Sequence, residues 1–270
     1  MYLTKTINGR EICYHQAGFA ATPPIVLVSG WAHDMRLYDR MVPYLVPKHT
    51  IIRINWRGHG PNRDYQEDFG VEEQVADTIA MLKELGVDKF YLVSHSHGGW
   101  PALELADILG KDRVLALLMI DQIMSAPPPE FQAGLKSIQD PKVWDTARKG
   151  LFEHWLAGST NQHVMDHLVY SMGSFGFHMW SLSCKVIEQA YADHHSPLER
   201  MRKIAQPPPI RHVFSHPHNS PEYRKLQEDF SKENPWFSYH DLQGETHFPS
   251  VEIPDKVCEQ LEDLISGGQK

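Results

Sequence analysis

The chain has 270 residues, 41% of them hydrophobic and 22% charged, so it can bury a sizeable core in one domain or two small ones and is too apolar to be disordered. Its formal net charge of −8 argues against a nucleic-acid partner, which wants a basic face, and no apolar run reaches the ~20 residues of a membrane span. The first residues carry no apolar signal segment, and Cys13, Cys184 and Cys258 are odd in number and far apart. Neither a disulfide framework nor a zinc cluster is therefore expected, and the expected compartment is a reducing cytoplasm.

The predicted elements alternate. Residues 3–6 and 11–15 form a hairpin around Asn8-Gly9, a turn dipeptide. Residues 25–29 are a short apolar run after Pro23-Pro24 and read as a buried strand. Apolar positions at helical spacing follow over 34–45, where Pro43 is expected to kink the helix or end it early. A strand over 50–55 runs into the turn-rich Trp56-Arg57-Gly58-His59-Gly60. An amphipathic helix over 71–85 closes at Gly86. A strand over 90–95 meets Gly98-Gly99 and a helix to about Leu109, and a strand over 114–120 ends at Asp121.

The alternation then stops at Ser125-Ala126-Pro127-Pro128-Pro129. From 130 to about 199 the pattern is helical and rich in aromatic residues and methionine. After Pro207-Pro208-Pro209 a strand (210–215), a helix (221–233), a strand (236–242) and a last amphipathic helix (251–265) complete the chain. Repeated β–α units imply a mostly parallel sheet with helices on both faces. The expected organisation is a core of 1–124 and 200–270, with 125–199 as a helical cap over the strands' C-terminal edge, where open α/β sheets bind ligands.

The 17 histidines are the place to look for metal. The pairs His95/His97, His194/His195 and His216/His218 are the candidates; side chains two apart on a strand share a face, yet neither of the two spaced pairs has an acidic third ligand at helical spacing, so no metal site is expected.

The chemistry concentrates in Phe90-Tyr91-Leu92-Val93-Ser94-His95-Ser96-His97-Gly98-Gly99-Trp100. A strand running straight into a helix through small residues, with a serine at the apex, is a nucleophile elbow, here with Ser94 at the usual first glycine. In an ordinary βα turn the serine would only cap the helix. The elbow reading gains from its partners. His247, in Gly244-Glu245-Thr246-His247-Phe248-Pro249, follows the last strand, where such folds place the catalytic histidine. Asp121 ends a strand at the sheet's C-terminal edge and is preferred as the orienting acid to Glu222, which lies beyond the 210–215 strand. An imidazole beside a buried carboxylate is expected to favour its charged form. Backbone N–H groups of Trp31 and His97 are the candidate oxyanion donors. Trp31 would equally serve as packing.

Taken together, Gly30-Trp31-Ala32-His33-Asp34, the elbow, Leu117-Leu118-Met119-Ile120-Asp121, Phe152-Glu153-His154-Trp155-Leu156 and the His247 segment resemble the cofactor-free 3-hydroxy-4(1H)-quinolone 2,4-dioxygenases, a branch of the α/β-hydrolase fold. The resemblance implies ring cleavage of a 3-hydroxy-4(1H)-quinolone by O₂, releasing CO and an N-acylanthranilate, with no metal and no organic cofactor. It implies that His247 removes the 3-hydroxyl proton, that Asp121 orients it, and that Ser96 holds the substrate by hydrogen bonding without being acylated. The amides of Trp31 and His97 would hold the C4 oxygen, and His33 and Trp155 would line the pocket. The implied partners are a small aromatic substrate and O₂. Of the cap residues Trp155, Met172, Phe175, Phe177, Met179 and Trp180, about half are expected to form the cap's own core and the rest to line the cavity, since large apolar side chains usually pack inward. The same Ser96, His247 and Asp121 would serve a serine esterase, and a non-catalytic small-molecule receptor on this fold is the third reading, since some receptors can retain all three.

Overall fold

The computed structural model describes residues 2–61, 67–215 and 220–268. In chain order the elements are β1 (Leu3–Ile7), β2 (Arg10–Ala17), β3 (Ile25–Val28), a 3₁₀ turn (Met35–Tyr38), α1 (Val42–Leu45), β4 (Ile51–Ile54), α2 (Val71–Glu84), β5 (Phe90–His95), a 3₁₀ turn (Ser96–Gly98), α3 (Gly99–Leu109) and β6 (Val114–Ile120). The helices α4 (Pro129–Gln139), α5 (Trp144–Leu156) and α6 (Gln162–Asp166) follow, then a π turn (His167–Ser171), a 3₁₀ turn (Met172–Ser174), α7 (Phe177–His194) and α8 (Pro197–Met201). The chain ends with β7 (Ile210–Phe214), α9 (Pro221–Glu233), β8 (Phe237–Asp241), α10 (Pro249–Glu252) and α11 (Pro254–Ile265).

The described strands form one eight-stranded sheet in the order β1-β2-β4-β3-β5-β6-β7-β8. The β1–β2 and β2–β4 pairs are antiparallel and the others parallel. Strand side chains alternate between faces, so Ile25 and Leu27 enter one core while Val26 and Val28 enter the other. The first core also holds α11 and the aromatic residues of α5 and α7; the second holds α2 and α3. Each fully buried Leu, Ile, Val or Phe contributes roughly 1.5–3 kcal/mol. The chain steps from β3 to β4 on one side and from β5 onward on the other. The loops after β3 and β5 therefore flank the switch point, where such sheets bind ligands.

Two expected helices differ in detail, and proline explains both. The 34–45 segment is a 3₁₀ turn and then α1, with Pro43 in the first turn of α1, not at its end. Proline's missing N–H is harmless there, because first-turn donors have no partner within the helix. The last helix is divided into α10 and α11, because Pro254 opens α11 and cannot continue α10.

Candidate active site

Two backbone approaches shape the site. A Cβ on Gly30 would lie 2.4 Å from the carbonyl oxygen of His95, and one on Gly98 would lie 2.2 Å from that of Ser29. The loop after β3 and the elbow after β5 therefore pack backbone against backbone, which only glycine permits. Ser96 itself has φ +49°, and Asp121 has φ +51°. Both lie in the left-handed region, which L residues occupy only where the surroundings impose it. Ser94 stays inside β5 and is fully buried.

Ser96, His247 and Asp121 meet above this edge. The Asp121 carboxylate accepts only, so His247 carries its hydrogen on Nδ1 and donates it to Oδ1 across 3.0 Å. Nε2 is then the acceptor of the Ser96 hydroxyl at 3.1 Å. Ser215 donates its backbone N–H to Asp121 Oδ2 at 2.9 Å, and its hydroxyl lies 3.1 Å from the same oxygen. Glu222, the other acid considered, is exposed in the first turn of α9.

His247 is fixed on every side. Its N–H donates to the Trp155 carbonyl at 3.1 Å, and its ring stacks on Trp155 at 5.1 Å and 18°. Its carbonyl accepts from His95 Nε2 at 2.9 Å. Glu252 receives the Glu245 and Thr246 amides and the Thr246 hydroxyl, which anchors the loop before His247. Burial, and secondarily His154, lower His247 to about 3. Burial of the ring thus favours the neutral imidazole, the direction opposite to the one expected from the carboxylate alone. Neutral imidazole is the form a base needs.

A cavity of about 410 Å³ opens on these groups. Ser96, His97, Trp31, Trp155 and His247 form its reactive end, and α4 and α5 supply Phe131, Leu135, Ile138 and Leu151. Trp31 packs edge-on against Trp155, Phe131 and Trp180, while His97 stacks on Phe131 at 5.3 Å. Of the six cap residues, about half of them expected to line the cavity, only Trp155 is among its described lining residues. Met172, Phe175, Met179 and Trp180 are buried in the core between the helices and the sheet, and Phe177 packs on Trp144.

His33 is not among the lining residues. The turn in which its N–H reaches the Gly30 carbonyl, and Ser29 Oγ donates to its own carbonyl, sends the ring beneath the site. There it stacks on Phe248, lies 5.2 Å from the His95 ring and places Nδ1 3.4 Å from His167 Nε2. Burial holds His33 and His95 well below the usual histidine value and lowers His167 to about 4. The histidine pairs weighed for metal are dispersed. His95 faces His247, whereas His97 faces the cavity, because the chain leaves the strand between them. His194 stacks on Trp100, and His216 and His218 lie outside the described residues. Among the described residues no three His, Cys, Asp or Glu side chains group as metal ligands.

His95, His167 and the α4 wall are what sequence reasoning missed. His95 adjoins the elbow serine, and the apolar spacing of Phe131, Leu135 and Ile138 marks one face of a helix; those were the available signals.

An eight-stranded sheet with an elbow serine, a histidine after the last strand and a buried acid defines an α/β-hydrolase-fold enzyme. A family model described as alpha/beta hydrolase fold matches residues 23–184. A curated relative from Mycobacteroides abscessus, 2-heptyl-3-hydroxy-4(1H)-quinolone dioxygenase, is 49% identical, with both chains covered completely. The 1H-3-hydroxy-4-oxoquinoline 2,4-dioxygenase of Pseudomonas putida is 33% identical over 96% of this chain and 97% of its own. A solved AqdC variant in complex with its substrate, from work on the Pseudomonas quinolone signal, superposes with a TM-score of 0.96 at 49% identity, covering 99% of this chain and all of that one. The chain belongs to the cofactor-free 3-hydroxy-4-quinolone 2,4-dioxygenases, the ring-cleaving branch of the α/β-hydrolase fold. No helix among the described residues is long and apolar enough to cross a membrane.

Proposed function

We propose that the protein cleaves a 3-hydroxy-4(1H)-quinolone carrying a 2-alkyl chain of about the heptyl length. The observation that carries this reading is the shape of the cavity. It joins a polar end at Ser96 and His247 to an apolar wall from α4 and α5, in a volume of about 410 Å³. That volume lies in the range that encloses a drug-sized ligand. The full-length 49% relative, named for the 2-heptyl substrate, supports the same reading. Segment 125–199 acts as the cap that supplies the wall.

In this reading the flat ring lies against Trp155 and Trp31 with its 3-hydroxyl at His247. His247 Nε2 takes the hydroxyl proton, and Ser96 hydrogen-bonds the substrate oxygens. The imidazolium that forms lies between two anions, the Asp121 carboxylate and the new substrate oxyanion, which offset the burial that keeps the ligand-free imidazole neutral. The anion gives its electrons to O₂, forming a C2–O bond. The distal peroxide oxygen attacks C4, whose oxygen is held by the amides of Trp31 and His97. The O–O, C2–C3 and C3–C4 bonds then break. C3 leaves with its own oxygen as CO, and the two atoms of O₂ remain on C2 and C4 as the amide carbonyl oxygen and a carboxylate oxygen. The proton taken by His247 is released once per turnover.

The test is to mix the protein anaerobically with 2-heptyl-3-hydroxy-4(1H)-quinolone, record the bound-substrate spectrum, then admit O₂. An anion spectrum followed by CO and N-octanoylanthranilate in equal amounts is expected. Absence of CO, or a stable acyl group on Ser96 after exposure to esters, would refute the reading.

A further inference from the structure

We propose that His212 and Tyr223 are positioning residues for ring cleavage: together they brace the turn after Asp121 and so keep its carboxylate aimed at His247. The inference rests on the reading of Asp121 as the orienter of His247. Asp121 leaves β6 with φ +51°, a conformation that its neighbours must hold. Its own N–H donates to the Val213 carbonyl at 2.8 Å, which is ordinary sheet bonding. Beyond it the polar backbone groups have left the sheet and side chains take them up: Tyr191 of α7 donates its hydroxyl to the Ile123 carbonyl at 3.1 Å, and His212 and Tyr223 hold the groups nearer to Asp121.

His212 lies on β7, fully buried, and its Nε2 accepts the Gln122 N–H at 3.2 Å. An accepting Nε2 puts the ring hydrogen on Nδ1, where Gln227 Oε1 receives it at 2.5 Å. Gln227 thereby fixes the tautomer that makes His212 an acceptor. Tyr223, on α9, donates its hydroxyl to the Gln122 carbonyl at 2.8 Å and accepts the Met124 N–H at 3.1 Å. Phe214 stacks on the His212 ring and meets Tyr223 edge-on, so the two braces are packed as a unit. Both polar groups of the Gln122 backbone are therefore held by side chains from β7 and α9. With Asp121 Oδ2 tied to Ser215 on the same side, release of either brace frees the 121–124 backbone to relax and turns Oδ1 away from His247.

The experiment compares Tyr223→Phe, His212→Leu and His212→Gln with the parent and with Asp121→Ala, each shown to be folded by its melting transition. The probe is 2-heptyl-3-hydroxy-4(1H)-quinolone. Tyr223→Phe and His212→Leu are expected to lower kcat about tenfold with KM changed less than about twofold, as for loss of one hydrogen bond felt in the transition state. Both should also lower the fraction of bound substrate that is anionic under anaerobic conditions. His212→Gln, whose side-chain oxygen can accept the same N–H, should restore both. Folded Tyr223→Phe with parent kcat and parent anion fraction would overturn the brace, as would loss of kcat with an unchanged anion fraction. Should His212→Leu not fold, Tyr223→Phe decides alone. If Asp121→Ala loses activity while the brace variants do not, only the brace is wrong. If Asp121→Ala keeps the parent activity, the dyad itself is wrong.

Discussion

The floor and the wall of the cavity are built on opposite principles. The floor is polar: Asp121, His247, Ser96, His95, His33 and His167 lie at or beneath the sheet edge, all nine-tenths or more buried. Directional bonds fix it, such as Nδ1 of His247 to Asp121 and Nε2 of His95 to the His247 carbonyl. The wall, from Phe131 and Leu135 of α4 to Leu151 of α5, is apolar; its lining side chains meet by packing, while Gln139 on Glu188 and Arg148 on the Gly173 carbonyl tie the two helices down away from the cavity. Buried hydrogen bonds are lost abruptly when geometry fails, whereas dispersion contacts tolerate exchange of side chains of similar volume. In the proposed reaction, reactivity thus lies in the part of the site that cannot vary, and substrate choice in the part that can.

The largest expected effect breaks the floor as a whole. Burial lowers His33, His95, His167 and His247, the last two to about 4 and about 3, against about 6.5 in an unfolded chain. Below that ordinary value the unfolded chain binds protons that the folded one refuses. Stability is therefore full above about pH 6.5 and falls as pH falls through the window down to the depressed folded values. Each histidine adds a slope of about 1.4 kcal/mol per pH unit within its window. The melting temperature should therefore fall as the pH drops below about 6.5. Thermal melting from pH 7.5 to 4 checks this, and a melting temperature unchanged from pH 6.5 to 4.5 would contradict it.

Within the floor, effects on turnover should be graded by distance from the proton. His247→Ala should bind the quinolone but leave it protonated near neutral pH, with kcat down on the order of 10³-fold. Raising the pH should partly restore it, because solvent then supplies the anion. Asp121→Ala keeps the base but loses its orienter, so a fall on the order of 10²-fold is expected. Ser96→Ala, which removes a hydrogen bond and no proton acceptor, should cost about tenfold. Anaerobic spectra of bound substrate and single-turnover rates rank the three. A Ser96 variant that binds normally and has no turnover would point to a covalent serine mechanism.

Floor and wall also differ in how far the sequence reveals them. Strands such as Val114–Ile120 are unbroken apolar runs, and β–α alternation dictates a mostly parallel sheet, so the architecture is legible. The elbow and the places of His247 and Asp121 follow from element order, because the ends of neighbouring parallel strands must lie together. The wall is not legible in this way. Trp180 and Phe175 have the same apolar character as Phe131 and Leu135, yet they face the helical core while α4 faces the cavity. Periodicity marks an apolar face and does not say what it meets. His33 shows the same limit on the floor. Its place in the chain leads to the site, but a single tight turn decides whether its ring points into the cavity or beneath it.

The smallest expected effect on turnover comes from altering the wall alone. Gly134 lines the cavity from α4, and a Cβ there would meet nothing within 4 Å. Gly134→Ala should therefore fit and should stabilise the helix by roughly 0.5–1 kcal/mol, the usual difference between the two residues in a helix interior. Gly134→Leu should fit as well, but its added methylenes would occupy space that the alkyl chain needs. Two or three displaced methylene contacts at ~0.8 kcal/mol each amount to a rise in KM of about 15- to 60-fold for the 2-heptyl substrate. In the proposed pose the unsubstituted 3-hydroxy-4(1H)-quinolone would not reach that wall, so its kcat/KM should change by less than about twofold. The ratio of the two kcat/KM values separates wall from floor, because damage to His247 or Asp121 would lower both together. Equal losses for the two substrates would place the alkyl chain elsewhere, and no loss for either would show that the cavity is wider in solution than the chain requires.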